Sequence, residues 1–153
     1  MSFLDHRIPP PVPMLGVALV MWLTASNTPG FDVPGLVRVV AVAFFGAAGI
    51  GINVAGFRAI RRAGSTIDPT RPSAASVLVT GGPFQYSRNP MYVGFASLLL
   101  AWAVWLQSPW ALAGPAIFAL YLTRWQIQPE ERALRAKFGA AFAAYEARAR
   151  RWL

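Results

Sequence analysis

The sequence predicts an all-α, polytopic membrane helical bundle of about four transmembrane helices with an amphipathic interfacial helix after them, and three observations carry the prediction. Hydrophobic residues make up 56% of the 153-residue chain against 13% charged, with mean hydropathy +0.44, which leaves too little polar surface to clothe a water-soluble body of this size. The apolar residues gather into four stretches, at about 13–28, 34–57, 90–106 and 110–127, each bounded by proline, glycine or polar residues. The cations fall almost entirely in alternate connections between those stretches.

At 1.5 Å per residue a helix of 18 residues is roughly 27 Å long, close to a hydrocarbon core of about 30 Å. The first stretch is the weakest. It follows a proline-rich segment carrying Asp5, His6 and Arg7, and Leu23-Thr24-Ala25 within it is a poor cleavage signal, so it reads as a retained span rather than a signal peptide. The second is dense in small residues, Gly46, Ala48, Gly49, Gly51 and Ala55, which let another helix backbone approach closely. The segment 58–89 holds Gly64, Pro69, Pro72, Gly81, Gly82 and Pro83 and reads as a long cytoplasmic loop; loops of that length are functional or disordered. The stretches at 90–106 and 110–127 read as the third and fourth spans. After Pro129, the residues Leu134, Phe138, Ala141, Phe142 and Tyr145 recur at helical spacing with cations between them, which predicts an amphipathic helix over 129–149 resting on anionic lipid. The chain as a whole, 1–153, reads as a single integral membrane domain.

The 14 Lys and Arg against 6 Asp and Glu give a net charge of +8. Such an excess suits nucleic acid, an anionic membrane surface or an acidic substrate. A nucleic-acid module needs a soluble body to carry its basic patch, whereas these charges punctuate long apolar runs, so the bilayer is the expected partner and nucleic acid is not. With no cysteine and a single histidine, His6, no disulfide framework or metal site is expected. Positively charged loops stay on the cytoplasmic side, and four spans put both termini there. That side then holds Arg7, the loop with Arg58, Arg61, Arg62, Arg71 and Arg88, and the tail with Arg132, Arg135, Lys137, Arg148, Arg150 and Arg151. The outer connections 27–33 and 107–109 contain none. Location in an inner, cytoplasmic membrane follows, while oligomeric state is left open.

The run most informative for chemistry is Thr80-Gly81-Gly82-Pro83-Phe84-Gln85-Tyr86-Ser87-Arg88-Asn89-Pro90-Met91-Tyr92-Val93-Gly94, directly ahead of the third span, and a second follows the fourth: Glu130, Glu131, Leu134, Phe138, Gly139 and Tyr145. Together, in this order and with two short spans between them, they resemble the signature of the isoprenylcysteine carboxyl methyltransferase and phospholipid methyltransferase superfamily. The resemblance covers roughly the last 90 residues. It implies a membrane enzyme that takes S-adenosyl-L-methionine into a cytoplasm-facing cavity between the last two spans, the preceding loop and the tail helix, and transfers methyl to a lipophilic molecule or lipid. By that resemblance Gly81, Gly82, Pro83, Arg88, Asn89, Pro90, Tyr92, Glu130 and Glu131 meet the cofactor, with Arg88, Tyr92 and Glu131 nearest the chemistry. Asn89 departs from the pattern of relatives that carry histidine there, so any mechanism needing an imidazole at that place fails.

The residue types are compatible with these roles. Gly81 and Gly82 uncover backbone N–H groups and Pro83 stiffens the turn. The Arg88 guanidinium can fork onto a carboxylate, and the carboxylates of Glu130 and Glu131 can accept from an amine or a hydroxyl or stabilise a sulfonium. Each also has a plainer reading. Arg88 at a span boundary can anchor on lipid phosphate, and Glu130 and Glu131 can complement a helix N-terminus, with Glu131 pairing to Arg135 four residues on. Asn53, Arg58 and Arg124 are candidates for contact with the acceptor; equally, Asn53 can bond a neighbouring helix, Arg58 can act as a topology signal and Arg124 can snorkel to the interface, as Arg38 can at the other face. Methyl transfer requires alignment above all. A carboxylate acceptor needs no base, and no side chain in the sequence stands out as one, which favours an anionic acceptor. Two alternatives remain beside this reading: a membrane-integral nicotinamide-dependent reductase, and a non-enzymatic scaffold or subunit in which both motifs only shape helices.

Overall fold

The structure, a computed structural model, describes residues 8–64 and 77–153; Arg7, Arg71 and the 65–76 portion of the expected loop lie outside the described residues. Among the described residues the architecture is helical without a named strand: α1 (Pro11–Ser26), α2 (Gly35–Arg62), α3 (Pro90–Leu106), α4 (Ala113–Leu122), α5 (Gln128–Phe138) and α6 (Ala140–Glu146). Prolines open α1, α3 and α5 within the first turn, where a missing N–H costs nothing. The left-handed Gly64 ends α2, its N–H donating to the Arg61 carbonyl at 3.1 Å.

The helix α2 has 28 residues and a mean hydropathy of 2.0, and it is long and apolar enough to cross a membrane. Only 6% of its most apolar window is buried, which is the opposite of a soluble core helix: Leu36, Val40, Phe44 and Ile50 point outward uncovered. The helices α1 and α3 are apolar but shorter, with 16 and 17 residues. The helices α2 and α3 run antiparallel. At one end Gly56 of α2 meets Met91 and Pro90; at the other the Arg38 guanidinium bonds the Gln107 side-chain oxygen and lies 5.0 Å over the Trp105 ring.

Small residues on α2 divide by position. A Cβ on Gly49 would stand 2.8 Å from the Gly94 carbonyl oxygen, so α2 and α3 cross there backbone to backbone, while Gly46 and Gly51 face open space. Beside the crossing the Asn53 amide bonds the Gly49 carbonyl at 2.8 Å, and the Ser97 hydroxyl of α3 bonds the Phe45 carbonyl at 2.8 Å. On the other side Met21 of α1 packs on Gly114 of α4, and the Trp102 indole donates to the Ala18 carbonyl at 3.1 Å. Leu99, Phe118, Leu122 and Ile127 fill the core between these contacts.

Two elements depart from expectation. The fourth helix does not end cleanly at Ile127; it widens into a π-helical turn over Thr123–Ile127 and continues into α5. One extra residue in the cycle rotates the downstream helix by about 100°. The single amphipathic helix expected over 129–149 is instead the pair α5 and α6, broken at Gly139, whose φ of 50° and ψ of −122° suit glycine alone. The break folds α6 back so that Phe142 and Tyr145 pack with Leu78, Phe84, Leu134 and Phe138 in a second small core.

Candidate active site at the basic end of the bundle

The end of the bundle where α2 stops and α3 begins carries every described Lys and Arg except Arg38, and both sequence motifs reach it. Gly82–Gln85 forms a tight 3-10 turn whose first residue is left-handed at φ 62°, with the α2 surface at Ala59 beside it. A polar segment, Tyr86 to Asn89, leads into α3. The acids arrive on the first turn of α5, just after the π-helical turn.

What joins the two motifs is the C-terminal tail. Backbone bonds run from the Arg88 N–H to the Arg150 carbonyl at 2.7 Å and from the Arg150 N–H to the Tyr86 carbonyl at 3.2 Å. The Arg88 guanidinium donates to Glu131 at 2.7 Å and to the Ala149 carbonyl at 2.6 Å. The Asn89 amide donates to the Arg151 carbonyl at 2.9 Å, and the Tyr145 hydroxyl to the Phe84 carbonyl at 2.8 Å. Arg151 in turn forks onto both oxygens of Glu131, at 3.0 and 2.7 Å, and the Trp152 indole bonds the Thr123 hydroxyl in the π-helical turn at 3.0 Å.

Adjacent carboxylates thus meet opposite surroundings. Burial raises Glu131, but hydrogen bonds from Arg151 and Arg88 more than offset it and hold its carboxyl below the ordinary range. Glu130 accepts from the Tyr92 hydroxyl at 3.3 Å. Burial pushes it up to about 7, against a lowering by that hydrogen bond, and the Glu131 charge adds to the rise. Burial also lifts Tyr145 to about 12 although the Arg88 charge opposes it.

Three spaces that share wall residues surround these groups. A cavity of about 110 Å³ is walled by Arg88, Asn89, Glu130, Glu131, Phe142 and Tyr145. Across Leu78 and Val79 lies a cleft of about 580 Å³ lined by Arg58, Ala59, Arg62 and the turn Gly81, Gly82 and Pro83. On the far side of Arg58 and Arg62 a groove of about 510 Å³ runs over Asn53, Val54, Phe57 and Met91, with Arg61 at its rim. The sequence-derived candidates therefore share one end of the bundle but not one chamber. Pro90 is buried at the start of α3 against Gly56, Tyr92 is buried two residues on, and Arg124 is exposed on the π-helical turn; none of the three lines any of these spaces. The expected pairing of Glu131 with Arg135 does not form: Arg135 bonds Glu146 at 2.7 Å, because the break at Gly139 brings α6 alongside α5.

The family model for phospholipid methyltransferase matches residues 36–141, well over half of the chain. The chain belongs to the phospholipid methyltransferase family. An uncharacterized protein of Haemophilus influenzae is 41% identical over 63 residues, which is 41% of this chain and the whole of that relative. No solved structure matches the chain. Membership in a methyltransferase family agrees with the superfamily resemblance read from the two motifs. The match to the phospholipid methyltransferase family ends at residue 141, so most of the tail that ties the motifs together lies beyond it. Sequence reasoning missed that tail: Arg150 and Arg151 read as topology signals, and Trp152 carried no signal. The one available clue was electrostatic, an acid pair with a cluster of arginines downstream whose charge the topology reading had already absorbed.

Proposed function

We propose that this protein is an integral membrane methyltransferase that uses S-adenosyl-L-methionine and methylates a lipophilic acceptor. The observation that carries the reading is that the glycine-proline turn and the acid pair line two spaces with a common wall, Leu78 and Val79, at one end of a helical bundle of this family. The cleft of about 580 Å³ falls within the range of small-molecule sites, roughly 300–1,000 Å³. Its lining fits the cofactor: Arg58, Arg62 and the uncovered backbone at Gly81 and Gly82 are donors for a carboxylate, and Glu130 gives the neighbouring cavity negative character toward a cation. When bound, the cofactor supplies a methyl group on a positively charged sulfur.

Of the motif residues, Gly81, Gly82 and Pro83 hold the cofactor. Glu130 faces the reacting groups, and Tyr92, buried behind it, donates a hydrogen bond to its carboxylate. Arg88, Asn89 and Glu131 hold the wall, since their side chains already bond one another or the tail, and Pro90 fixes the start of α3 behind it. The groove over Asn53, Val54, Phe57 and Met91 takes the acceptor, with apolar walls for its chain and Arg58, Arg61 and Arg62 for an anionic part of its head. Arg124, away from these spaces, is an interface anchor.

In this reading α1, α2, α3 and α4 with its extension each cross the bilayer, and the cation-rich end with both termini faces the cytoplasm of an inner membrane. At the opposite end the exposed Trp105 and Trp110 suit the other interface. The test is a labelled-methyl assay with total membrane lipid as acceptor. Label entering lipid is the expected result; purified protein that is stabilised by a dinucleotide and transfers no methyl contradicts the proposal.

A further inference from the structure

The turn Gly82–Gln85 and the acid-bearing first turn of α5 are far apart in the chain, and the tail bonds to the surroundings of both. We propose that Arg151 and Trp152 are positioning residues of the site: they fix the rotation of α5 against the segment Tyr86 to Asn89, and the affinity for the cofactor depends on that alignment. This rests on the methyltransferase reading above, and both residues lie beyond the stretch that the family model matches.

The helix α5 needs such a hold because it follows the π-helical turn Thr123–Ile127. A π-helical turn rarely extends beyond a single cycle, so the rotation it gives the next helix rests on what is bonded around it. The tail bonds on both sides of this one. At its start the Trp152 indole N–H donates to the Thr123 hydroxyl at 3.0 Å, and that hydroxyl donates to the Ala119 carbonyl at 2.7 Å, so the indole fixes the group that closes the widened turn. The Trp152 ring also packs on the main core, to which Leu122 and Ile127 belong. Past the turn, Arg151 donates to both carboxylate oxygens of Glu131, at 3.0 and 2.7 Å.

The backbone of the tail holds the opposite wall. The Arg151 carbonyl accepts from the Asn89 amide at 2.9 Å, and Arg150 exchanges backbone bonds with Arg88 and Tyr86. The segment held in this way starts directly after Gln85, where the turn bordering the cleft of about 580 Å³ ends. A rotation of α5 moves Glu130 and Glu131 in the wall of the smaller cavity, and a shift of Tyr86 to Asn89 moves Gly81, Gly82 and Pro83 in the wall of the cleft. Arg151 and Trp152 line neither space, so they act through the residues they hold. The Arg151 side chain is 40% exposed, and an ion pair that open adds little to fold stability, which separates a positioning role from a merely structural one.

The experiment measures melting temperature and S-adenosylhomocysteine affinity in detergent for wild type, Arg151→Ala, Trp152→Phe, Thr123→Val and the Thr123→Val/Trp152→Phe pair. Arg148→Ala, which removes an exposed cation of the tail, controls for charge. Arg151→Ala and Trp152→Phe should each weaken binding about two- to thirtyfold with little change in the melting temperature of the free protein, and Arg148→Ala should do neither. Trp152→Phe keeps the ring and removes the N–H, so adding it to Thr123→Val should weaken binding no further. The proposal is overturned by unchanged affinity in Arg151→Ala or Trp152→Phe, by an equal loss in Arg148→Ala, by additive losses in the pair, or by a loss that comes only with a matching fall in melting temperature. If wild type binds no S-adenosylhomocysteine, the methyltransferase reading fails and hydrogen exchange decides the positioning role alone. The Arg88 amide, bonded to the Arg150 carbonyl, should then exchange faster in Arg151→Ala and Trp152→Phe than in wild type, and equal exchange overturns the role.

Discussion

The buried Glu131 is an acid held by two arginines, Arg88 and Arg151. Its two arginines differ in burial, and that difference sets the cost of losing each. Arg88 is 11% exposed at its side chain and Arg151 40%. Removing a partner from a buried pair costs about 3–5 kcal/mol, whereas an exposed one costs about 0–1 kcal/mol. Arg88→Ala should therefore lower unfolding free energy in detergent by about 3 kcal/mol and Arg151→Ala by about 1 kcal/mol or less; equal losses would show that the tail arginine is as deeply committed as the other. The folded carboxyl of Glu131 titrates below its unfolded value, so the pair stabilises the protein above the ordinary carboxylate range and that contribution fades as pH falls through the depressed value. In Arg88→Ala the acid-induced loss should be smaller than in wild type. The identities of Arg88, Tyr92, Glu130 and Glu131 were legible in the sequence, because the motifs name them. Their division of labour was not. It depends on Arg151 reaching back across a hinge, and local spacing pointed to Arg135 instead.

Among the elements, the α2–α3 crossing and the broken tail helix position everything at the site. Small residues in the second stretch announced a close helix contact, but composition could not say which glycines make it, since that depends on the rotation of α2 about its axis. Gly49 faces α3 and Gly46 does not. Gly49→Ala should force the backbones apart and cost about 1–3 kcal/mol, while Gly46→Ala should be neutral or add up to about 1 kcal/mol of helix stability. Thermal unfolding of the two variants side by side checks the assignment, and a reversal of their order would mean that α2 presents its other face. The π-helical turn at Thr123–Ile127 left no trace in the hydropathy pattern, because one inserted residue does not interrupt an apolar run. Its effect is nonetheless decisive: it turns the start of α5 relative to α4 and lies one residue before the acid-bearing turn. Gly139 was visible as a motif residue, yet its meaning as a hinge needed the positive φ and the packing of Phe142 and Tyr145 beneath α5.

At the scale of the whole molecule, a bundle with one end basic and its sides apolar predicts how it sits in a membrane. The helical class and the positions of the long apolar segments were legible because hydropathy is a sum over many residues and tolerates local error. Among the described helices only α2 is by itself long and apolar enough to cross a membrane. The chain has no cysteine, so single cysteines introduced at Ala63, Ala140 and Pro109 report sidedness without background. Ala63 and Ala140 should react with an impermeant thiol reagent from the cytoplasmic face and Pro109 from the other; labelling of all three from one face would break the four-crossing arrangement. The central claim, that the glycine-proline turn and the acid pair border a cofactor site, is tested most directly by the thermal stability of the purified protein in detergent with S-adenosylhomocysteine. A rise in melting temperature with S-adenosylhomocysteine, absent with a nicotinamide dinucleotide and abolished when the left-handed Gly82 is replaced by valine, is the predicted result. No rise with S-adenosylhomocysteine in a folded wild-type protein would contradict the account.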